Sequence, residues 1–414
     1  MNVVKSFRSG HSCHPAPRAT ASATRANSTA LHCTFPVKRI LFIYGTRPEA
    51  IKLCPVVRWL RDSGSGLQAL VCVTAQHRAM LDQVLECFDV QPDFDLDLMT
   101  PGQTPSQTTA RALTALEPIL AGENIGMAVV QGDTTSTLAG AMAAFYRHIP
   151  VAHVEAGLRT GNLMQPFPEE MNRVVTARLA TLHFAPTESA RLNLLAEHTP
   201  DHCIFVTGNT GIDAVLHVAG ALEEGRIPSH RWDNLDGSRK LIVVTAHRRE
   251  SFGGGIGRIC EALAELAGRD DVQIVYPVHR NPNVLHPVEE GLGGRSNVAL
   301  IEPLDYPSFV DLMRRAYLLL TDSGGIQEEA PSLGKPVLVM RECTERPEAV
   351  EAGTVKLVGT DVGKIVGETV RLLESPEEYE RMSRIHNPYG DGRASQRITE
   401  TIAQFMRELE FRLL

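Results

Sequence analysis

Residues 318–331 read LLLTDSGGIQEEAP. A short apolar run changes abruptly at Asp322 into polar residues and glycines, which predicts a buried parallel strand, a tight turn and a helix N-terminus. The free N–H groups and the helix dipole at such a junction favour an anion, and glycines let it approach the main chain. The stretch therefore predicts an α/β fold with a phosphate or diphosphate site at Ser323, Gly324 and Gly325, although a plain turn is the alternative. Either of the next acids, Glu328 or Glu329, could bind sugar hydroxyls or merely complement the helix dipole.

The same alternation of apolar runs and helical patterns covers most of the chain. It predicts two doubly wound parallel-sheet (Rossmann-like) domains that face a central cleft, with ligands beyond the carboxyl ends of the strands. The predicted strands are 40–44, 70–74, 128–130, 151–154, 182–185 and 203–206 in the first domain, and 241–245, 272–278, 298–301, 318–321, 336–340 and 355–358 in the second.

Shifts in composition predict the domain boundaries. We expect an N-terminal Rossmann-like domain over 38–215, a linker over 216–239 that is rich in glycine and charge, and a nucleotide-binding Rossmann-like domain over 240–386. Residues 387–414 are an irregular segment and a closing amphipathic helix. Residues 1–37 contain no acidic residue and are rich in Ser, Ala, Thr and Arg, which is typical of an organelle-targeting segment or a disordered extension; an upstream start codon is a further alternative.

Composition narrows the class of protein. A chain of 414 residues favours two domains, and 43% hydrophobic with 22% charged residues is ordinary for a globular protein. The net charge of -8 argues against nucleic-acid binding, and no apolar stretch reaches membrane-spanning length. The eight cysteines are scattered, with no Cys-x-x-Cys pair, which indicates a reducing compartment and no zinc site. We therefore expect a cytoplasmic protein that binds neither nucleic acid nor membrane.

Polar residues concentrate where the predicted strands end. They are Arg47 and Lys52 after the first strand, Asp133, Glu155, Glu169 and Glu170 later in the first domain, and His247, Arg248 and His279 in the second. Crowded carboxylates raise at least one pKa, and a histidine titrates near neutrality, so this edge could both donate and accept protons. The alternatives are helix caps, surface ion pairs and, for His279, a structural histidine.

Two further patterns are missing from the sequence. No metal-ligand spacing occurs, and no Gly-x-Gly-x-x-Gly follows the first strand, so neither a metal nor a nicotinamide cofactor is expected. Arg47, Lys52 and Arg346, together with the helix end at Ser323, would then have to neutralise a leaving diphosphate.

A series of motifs occurs in the order found in one enzyme family. The chain closely resembles the bacterial non-hydrolysing UDP-N-acetylglucosamine 2-epimerases over about residues 38–400. The motifs are GTRPEAIK (45–52), TAQHR (74–78), GDTT (132–135), HVEAGLRT (153–160), PEEMNR (168–173), TAHRRE (245–250), DSGGIQEEAP (322–331), TERPE (344–348) and NPYGDG (387–392).

The resemblance implies a fold, a reaction and an assembly. The fold is that of the GT-B glycosyltransferases, with the C-terminal helix crossing back to pack on the first domain. The reaction interconverts UDP-N-acetylglucosamine and UDP-N-acetylmannosamine without a cofactor, by elimination and re-addition of UDP, and supplies ManNAc units for surface polysaccharides. A homodimer is also implied.

Residue roles follow motif by motif. The resemblance implies catalytic roles for Asp133, Glu155, Glu169 and His247. It implies substrate contacts for Arg47, Lys52, Arg173, His279, Leu304, Phe309, Ser323, Gly324, Gly325, Glu329 and Arg346, with Leu304 and Phe309 at the uracil. In some relatives a second UDP-N-acetylglucosamine acts as an activator, at a site that here would include Gln76 and Arg248. Gln131 stands where many relatives carry His, and Ala79 and Gly102 stand where the relatives with this activator site carry Gln and Arg.

Three other functions compete with epimerisation. A GT-B glycosyltransferase would need an acceptor site, and the chain has more carboxylates on the predicted rim than such an enzyme requires. A hydrolase would release free ManNAc and UDP. A nucleotide-sugar sensor would need the phosphate site but not Asp133, Glu155 or His247.

Overall fold

The computed structural model describes residues 38–413, except 75–77, 99, 101, 234, 345 and 385. The predicted extension 1–37 and the predicted activator contact Gln76 therefore lie outside the described residues.

The first half of the chain alternates strands with helices. Its strands are β1 (Arg39–Tyr44), β2 (Gln68–Val73), β3 (Phe94–Asp95), β4 (Ile125–Gln131), β5 (Val151–Val154), β6 (Leu182–Ala185) and β7 (Ile204–Val206). Its helices are α1 (Arg47–Asp62), α2 (Arg78–Cys87), α3 (Pro105–Gly122), α4 (Thr135–Tyr146), α5 (Glu169–Leu179), α6 (Glu188–Ala196) and α7 (Thr210–Glu223).

The second half repeats this pattern. Its strands are β8 (Lys240–Thr245), β9 (Val272–Pro277), β10 (Val298–Ile301), β11 (Leu318–Thr321), β12 (Val337–Val339) and β13 (Val355–Leu357). Its helices are α8 (Gly254–Leu266), α9 (Pro282–Leu292), α10 (Tyr306–Arg315), α11 (Gly324–Glu329), α12 (Pro347–Ala352), α13 (Val362–Glu374) and α14 (Pro376–Ser383), and α15 (Ala394–Leu413) closes the chain.

Both sheets are parallel and doubly wound, as predicted. In the described part of the chain, the first sheet has the order β3-β2-β1-β4-β5-β6-β7 and the second the order β10-β9-β8-β11-β12-β13. The strand order reverses between β1 and β4 and between β8 and β11. Such switch points open a crevice at the carboxyl ends of the strands, where ligands bind in α/β sheets.

The predicted strands agree closely with the observed ones. Residues 151–154, 182–185, 298–301 and 318–321 match β5, β6, β10 and β11 at both ends. These strands are short, mostly apolar runs; β5, β6 and β11 are buried, and the edge strand β10 is partly exposed. The two-residue strand β3 was missed, since it carries no apolar run.

The predicted linker begins too early. Helix α7 continues to Glu223, so the first eight residues of the range 216–239 are helical. A glycine costs about 1 kcal/mol inside a helix, but Val218 and Leu222 on either side of Gly220 are buried and outweigh that cost. The irregular connection therefore starts only after Glu223.

The C-terminal helix α15 packs against the first sheet and its helices. Ile398, Ile402 and Met406 are buried in the same hydrophobic cluster as Ile40 of β1. Lys38 Nζ donates a hydrogen bond to the carbonyl of Met406 (2.9 Å) and thereby ties the start of the first sheet to this helix. No helix among the described residues is long and apolar enough to span a bilayer.

Candidate active site

A cleft of about 760 Å³ lies at the carboxyl edges of both sheets. Small-molecule sites usually have volumes of this order. The first half of the chain contributes Asp133, Glu155, Leu158, Arg159, Thr160, Asn162, Gln165, Pro166, Arg173, Pro186, Thr187 and Asn209, and the second half contributes Arg248, Glu328, Cys343, Arg346, Glu348 and Tyr389.

Glu49 joins the turns that follow β1 and β4. Its buried carboxylate accepts hydrogen bonds from the backbone N–H of Thr46 (2.8 Å) and from the Thr134 hydroxyl (2.6 Å). Burial raises the pKa of Glu49, although these hydrogen bonds oppose the shift. Glu49 therefore fixes the switch point of the first sheet from beneath the cleft.

Asp133 lies in the turn between β4 and α4, after Gly132, whose φ is 70°. Arg173 of α5 donates a hydrogen bond to its carboxylate (2.5 Å), and Asn172 holds its backbone carbonyl (2.9 Å). Burial raises the pKa of Asp133, and Arg173 opposes that rise. The result is a fixed carboxylate whose pKa lies above its ordinary value, which suits proton transfer.

Glu155 directly follows β5 and adopts a left-handed backbone conformation with a φ of 63°. This conformation is uncommon for a residue other than glycine, and such strain concentrates at functional sites. The turn continues through Gly157, where a Cβ atom would come within 2.2 Å of the Ala190 carbonyl oxygen. Lys52 and Gln131 donate hydrogen bonds to the Glu155 carboxylate.

Lys52 links this carboxylate to the second domain. Its Nζ also lies 3.9 Å from the Glu328 carboxylate, which accepts hydrogen bonds from Arg346 Nε and Asn209 Nδ2 (2.8 Å each). Burial alone would raise the pKa of Glu328, but Arg346 and Lys52 outweigh it and lower the pKa. Ion pairs therefore connect Glu155, Lys52, Glu328 and Arg346 from one domain to the other.

The predicted phosphate turn adjoins this network. Arg346 lies directly over Gly324, where a Cβ atom would be only 2.9 Å from the guanidinium carbon. Ser323 is the N-cap of α11, and its hydroxyl does not cap the helix. The turn thus places backbone N–H groups next to the guanidinium group.

Arg47 and Glu329 form a neighbouring group outside the cleft lining. Burial lowers the pKa of Arg47, and the charge of Glu329 opposes this shift. Burial, together with the adjacent charge of Glu328, raises the pKa of Glu329 to about 8. The hydroxyl of Tyr306 is buried nearby without a hydrogen-bond partner among the described residues.

His247 occupies the turn after β8. Asp322 is fully buried, and its carboxylate accepts the backbone N–H groups of His247 (2.6 Å) and Arg248 (2.7 Å). The imidazole stacks on His279 with ring centroids 5.7 Å apart. Burial lowers the pKa of His247, and Asp322 opposes the shift.

Several predicted residues do not line the cleft. Glu169 lies at the start of α5, where its charge contributes to the raised pKa of Asp133. His279 is exposed, and Phe309 packs at the edge of the main hydrophobic cluster. Leu304 lines a separate cavity of about 290 Å³ beside Trp232.

Some lining residues were missed from the sequence. Glu328, not Glu329, faces the cleft; the sequence leaves the choice open because adjacent helical residues point in different directions. Asn209 lies in the turn after β7, as Asp133 lies in the turn after β4. This position after a strand is the sequence feature that could have predicted Asn209 as a lining residue. Tyr389 and Glu348 come from segments distant in sequence and share a weak hydrogen bond (3.3 Å). No cluster of three or more metal-ligating side chains occurs in the described part of the chain.

Comparison with known proteins identifies the family. The family model described as UDP-N-acetylglucosamine 2-epimerase matches residues 61–403. The chain belongs to the UDP-N-acetylglucosamine 2-epimerase family. The UDP-N-acetylglucosamine 2-epimerase of Salmonella typhimurium is 56% identical over 89% of this chain and 99% of its own length. The Escherichia coli K12 enzyme of the same name is 57% identical over 88% of this chain and 98% of its own length.

A solved member of the family supports the fold. The UDP-GlcNAc 2-epimerase of Neisseria meningitidis, crystallised with UDP-GlcNAc, has a TM-score of 0.81 and 47% sequence identity. The match covers 88% of this chain and all of that one. The fold of this chain is therefore similar to that of a solved UDP-GlcNAc 2-epimerase over most of its length.

Proposed function

We propose that the protein interconverts UDP-N-acetylglucosamine and UDP-N-acetylmannosamine by elimination and re-addition of UDP. The observation that carries this proposal is the single cleft shared by Asp133, Glu155, Glu328 and Arg346. Carboxylates on one side and a guanidinium beside a phosphate-type turn on the other are the groups that this reaction needs. Family membership supports the substrate class.

The elimination step removes two substituents from neighbouring carbons of the sugar. The bond between C1 and the UDP oxygen breaks, and its electron pair leaves with the β-phosphate. The positive charge that develops at C1 acidifies the C2 proton, which a carboxylate accepts as the C1=C2 double bond forms. Reprotonation of C2 on the opposite face and return of the UDP oxygen to C1 give the epimer.

Residue roles follow from the contacts. Asp133 is our candidate for proton transfer at C2, since its pKa is raised and Arg173 fixes its position. Glu155 is the second candidate, in the turn directly after the neighbouring strand β5. Arg346, Lys52 and the turn at Ser323-Gly324-Gly325 stabilise the charge of the departing diphosphate. His247 and Arg248 are held by Asp322 at the rim of the second domain.

Two further predicted substrate contacts lie outside the cleft lining. Arg47, at the start of α1, and Glu329, at the end of α11, interact electrostatically and are assigned to the nucleotide. We also propose a homodimer, a role in surface-polysaccharide synthesis and a cytoplasmic location, all by likeness to the family. The domain limits are proposed as before, with the connection now starting after Glu223.

The test is incubation with UDP-N-acetylglucosamine in D2O, followed by proton NMR of the sugar. We expect UDP-N-acetylmannosamine to form and deuterium to replace the C2 proton in both epimers. Free N-acetylmannosamine with UDP would instead identify a hydrolase. A requirement for an added acceptor would identify a transferase, and an unchanged substrate would identify a sensor.

A further inference from the structure

A second cleft, of about 600 Å³, lies between α7 of the first domain and α10 of the second. Its volume is again typical of a small-molecule site. Among the described residues, none that lines this cleft also lines the active-site cleft. The lining residues are Leu216, Ala219, Gly220, Glu223, Asp311, Arg314, Arg315, Ser332, Leu333 and Lys335.

The two acids in this lining are already engaged. Glu223 accepts a hydrogen bond from Arg314 (3.0 Å). Asp311 is buried and accepts hydrogen bonds from Trp232 Nε1 (2.8 Å) and Arg315 Nε (3.2 Å). The lining therefore has three basic side chains, Arg314, Arg315 and Lys335, and two acidic ones. Both acidic side chains already accept hydrogen bonds from the two arginines.

Lys335 is the cation without a counter-charge. Within the described part of the chain, its ammonium group has no hydrogen-bond or ion-pair partner, although the side chain is only partly exposed. Burial lowers the pKa of Lys335, and the nearby Arg314 lowers it further. Both effects disfavour the charged form, and the negative charge of a bound anion would offset them.

Arg315 supplies a second set of donors. Only its Nε is engaged, by Asp311, and its two terminal nitrogens have no partner among the described residues. A guanidinium and an ammonium together match the oxygens of a phosphate group. The apolar side chains of Leu216 and Leu333 are available to an attached organic group.

We propose that this cleft binds a phosphate-bearing small molecule, with the phosphate held by Lys335 and Arg315. The bound molecule touches α7 from the first domain and α10 from the second. The site is distinct from the nucleotide-sugar site and takes a ligand other than the substrate.

The test is isothermal titration of inorganic phosphate and of phenyl phosphate into the full-length protein saturated with UDP, which occupies the active site. We expect at least one of the two probes to bind. Tighter binding of phenyl phosphate identifies a phosphate ester as the ligand class, and equal binding identifies free phosphate. Lys335→Gln should weaken binding at least about tenfold, as expected for the loss of one charge-assisted hydrogen bond.

Two further variants distinguish binding in this cleft from a non-specific effect of lowering the positive charge of the protein. Lys364→Gln removes an exposed lysine from α13 and should leave phosphate affinity unchanged. Gly220→Leu places an apolar side chain in the cleft lining and should abolish binding; its Cβ atom meets no other atom within 4 Å. The absence of binding by both probes, or binding that survives both Lys335→Gln and Gly220→Leu, would overturn the proposal. Because binding is measured without turnover, neither result depends on epimerase activity.

Discussion

Asp133 is subject to two opposite influences on its carboxyl group. Burial raises its pKa, and Arg173 limits that rise while it holds the carboxylate in place. A proton-transfer group contributes about 100- to 10,000-fold to a rate. We therefore expect Asp133→Asn to lower kcat by about this factor while UDP still binds, because Asp133 follows a strand of the first sheet and the predicted phosphate turn follows a strand of the second.

This prediction is checked by the initial rate of epimer formation and by calorimetric titration of UDP. Glu117→Gln is the matched control, since Glu117 is an exposed carboxylate on α3. If Asp133→Asn kept most of the wild-type kcat, Asp133 would not be a proton-transfer group.

Glu329 should make the stability of the protein depend on pH. Its folded-state pKa of about 8 lies above the ordinary value of 4.5, so between these values the folded state keeps a proton that the unfolded state releases. The free energy of unfolding should therefore fall as pH rises from about 4.5 to about 8. Glu329→Gln should flatten this dependence, as measured by urea denaturation across that range, whereas Glu117→Gln should not. A wild-type slope that survives Glu329→Gln would contradict the assignment.

Some residues of the site are predictable from local sequence and others are not. Asp133, Glu155 and the Ser323 turn follow buried apolar strands directly, so their position at the sheet edge is fixed by the strand pattern. The choice between Glu328 and Glu329 depends on how α11 is rotated against Asn209 and Arg346, which are more than a hundred and about twenty residues away. No local pattern contains that information.

At the scale of single elements, the start of α11 depends on the absence of a side chain at Gly324. A Cβ atom there would lie 2.9 Å from Arg346 Cζ, so Gly324→Ala must displace the guanidinium from Glu328. The displaced group is the end of a flexible side chain, so the fold should survive. We expect the Kd for UDP to rise about ten- to a hundredfold, the equivalent of one charge-assisted hydrogen bond.

Calorimetric titration of UDP measures this effect. Gly257→Ala on the exposed face of α8 is the control, because a Cβ atom there meets nothing within 4 Å. That change should leave UDP binding intact and stabilise the protein by about 0.5–1 kcal/mol. Equal UDP affinity in Gly324→Ala and wild type would show that Arg346 does not depend on this glycine.

The elements themselves were largely predictable. Parallel strands read as short, mostly apolar runs, whether buried as in β5, β6 and β11 or partly exposed as in the edge strand β10, and this pattern predicts their bounds to the residue. The end of α7 was misplaced because its stability comes from burial of Val218 and Leu222 against other elements, which outweighs the glycine in its sequence. Strand β3 has too few residues to leave a pattern.

At the scale of the whole molecule, α15 completes the core of the first domain. Ile402 is fully buried in the cluster that contains Ile40. Truncation of such a side chain removes apolar burial and leaves a cavity, so Ile402→Ala should lower the free energy of unfolding by about 2–5 kcal/mol. Urea denaturation tests this, with the exposed Gln404→Ala on the same helix as the control, for which a change below about 0.5 kcal/mol is expected. A similarly small change for Ile402→Ala would mean that α15 is not part of the core.

In the proposed reaction, the bond between C1 and the UDP oxygen breaks and re-forms inside the shared cleft. The most direct measurement uses UDP-N-acetylglucosamine labelled with oxygen-18 at the bridge between C1 and the β-phosphate, followed by phosphorus NMR. If the bond breaks reversibly, the label should spread into the non-bridging oxygens of the β-phosphate while the substrate equilibrates with its epimer. Epimer formation with the label retained wholly in the bridge would contradict this account.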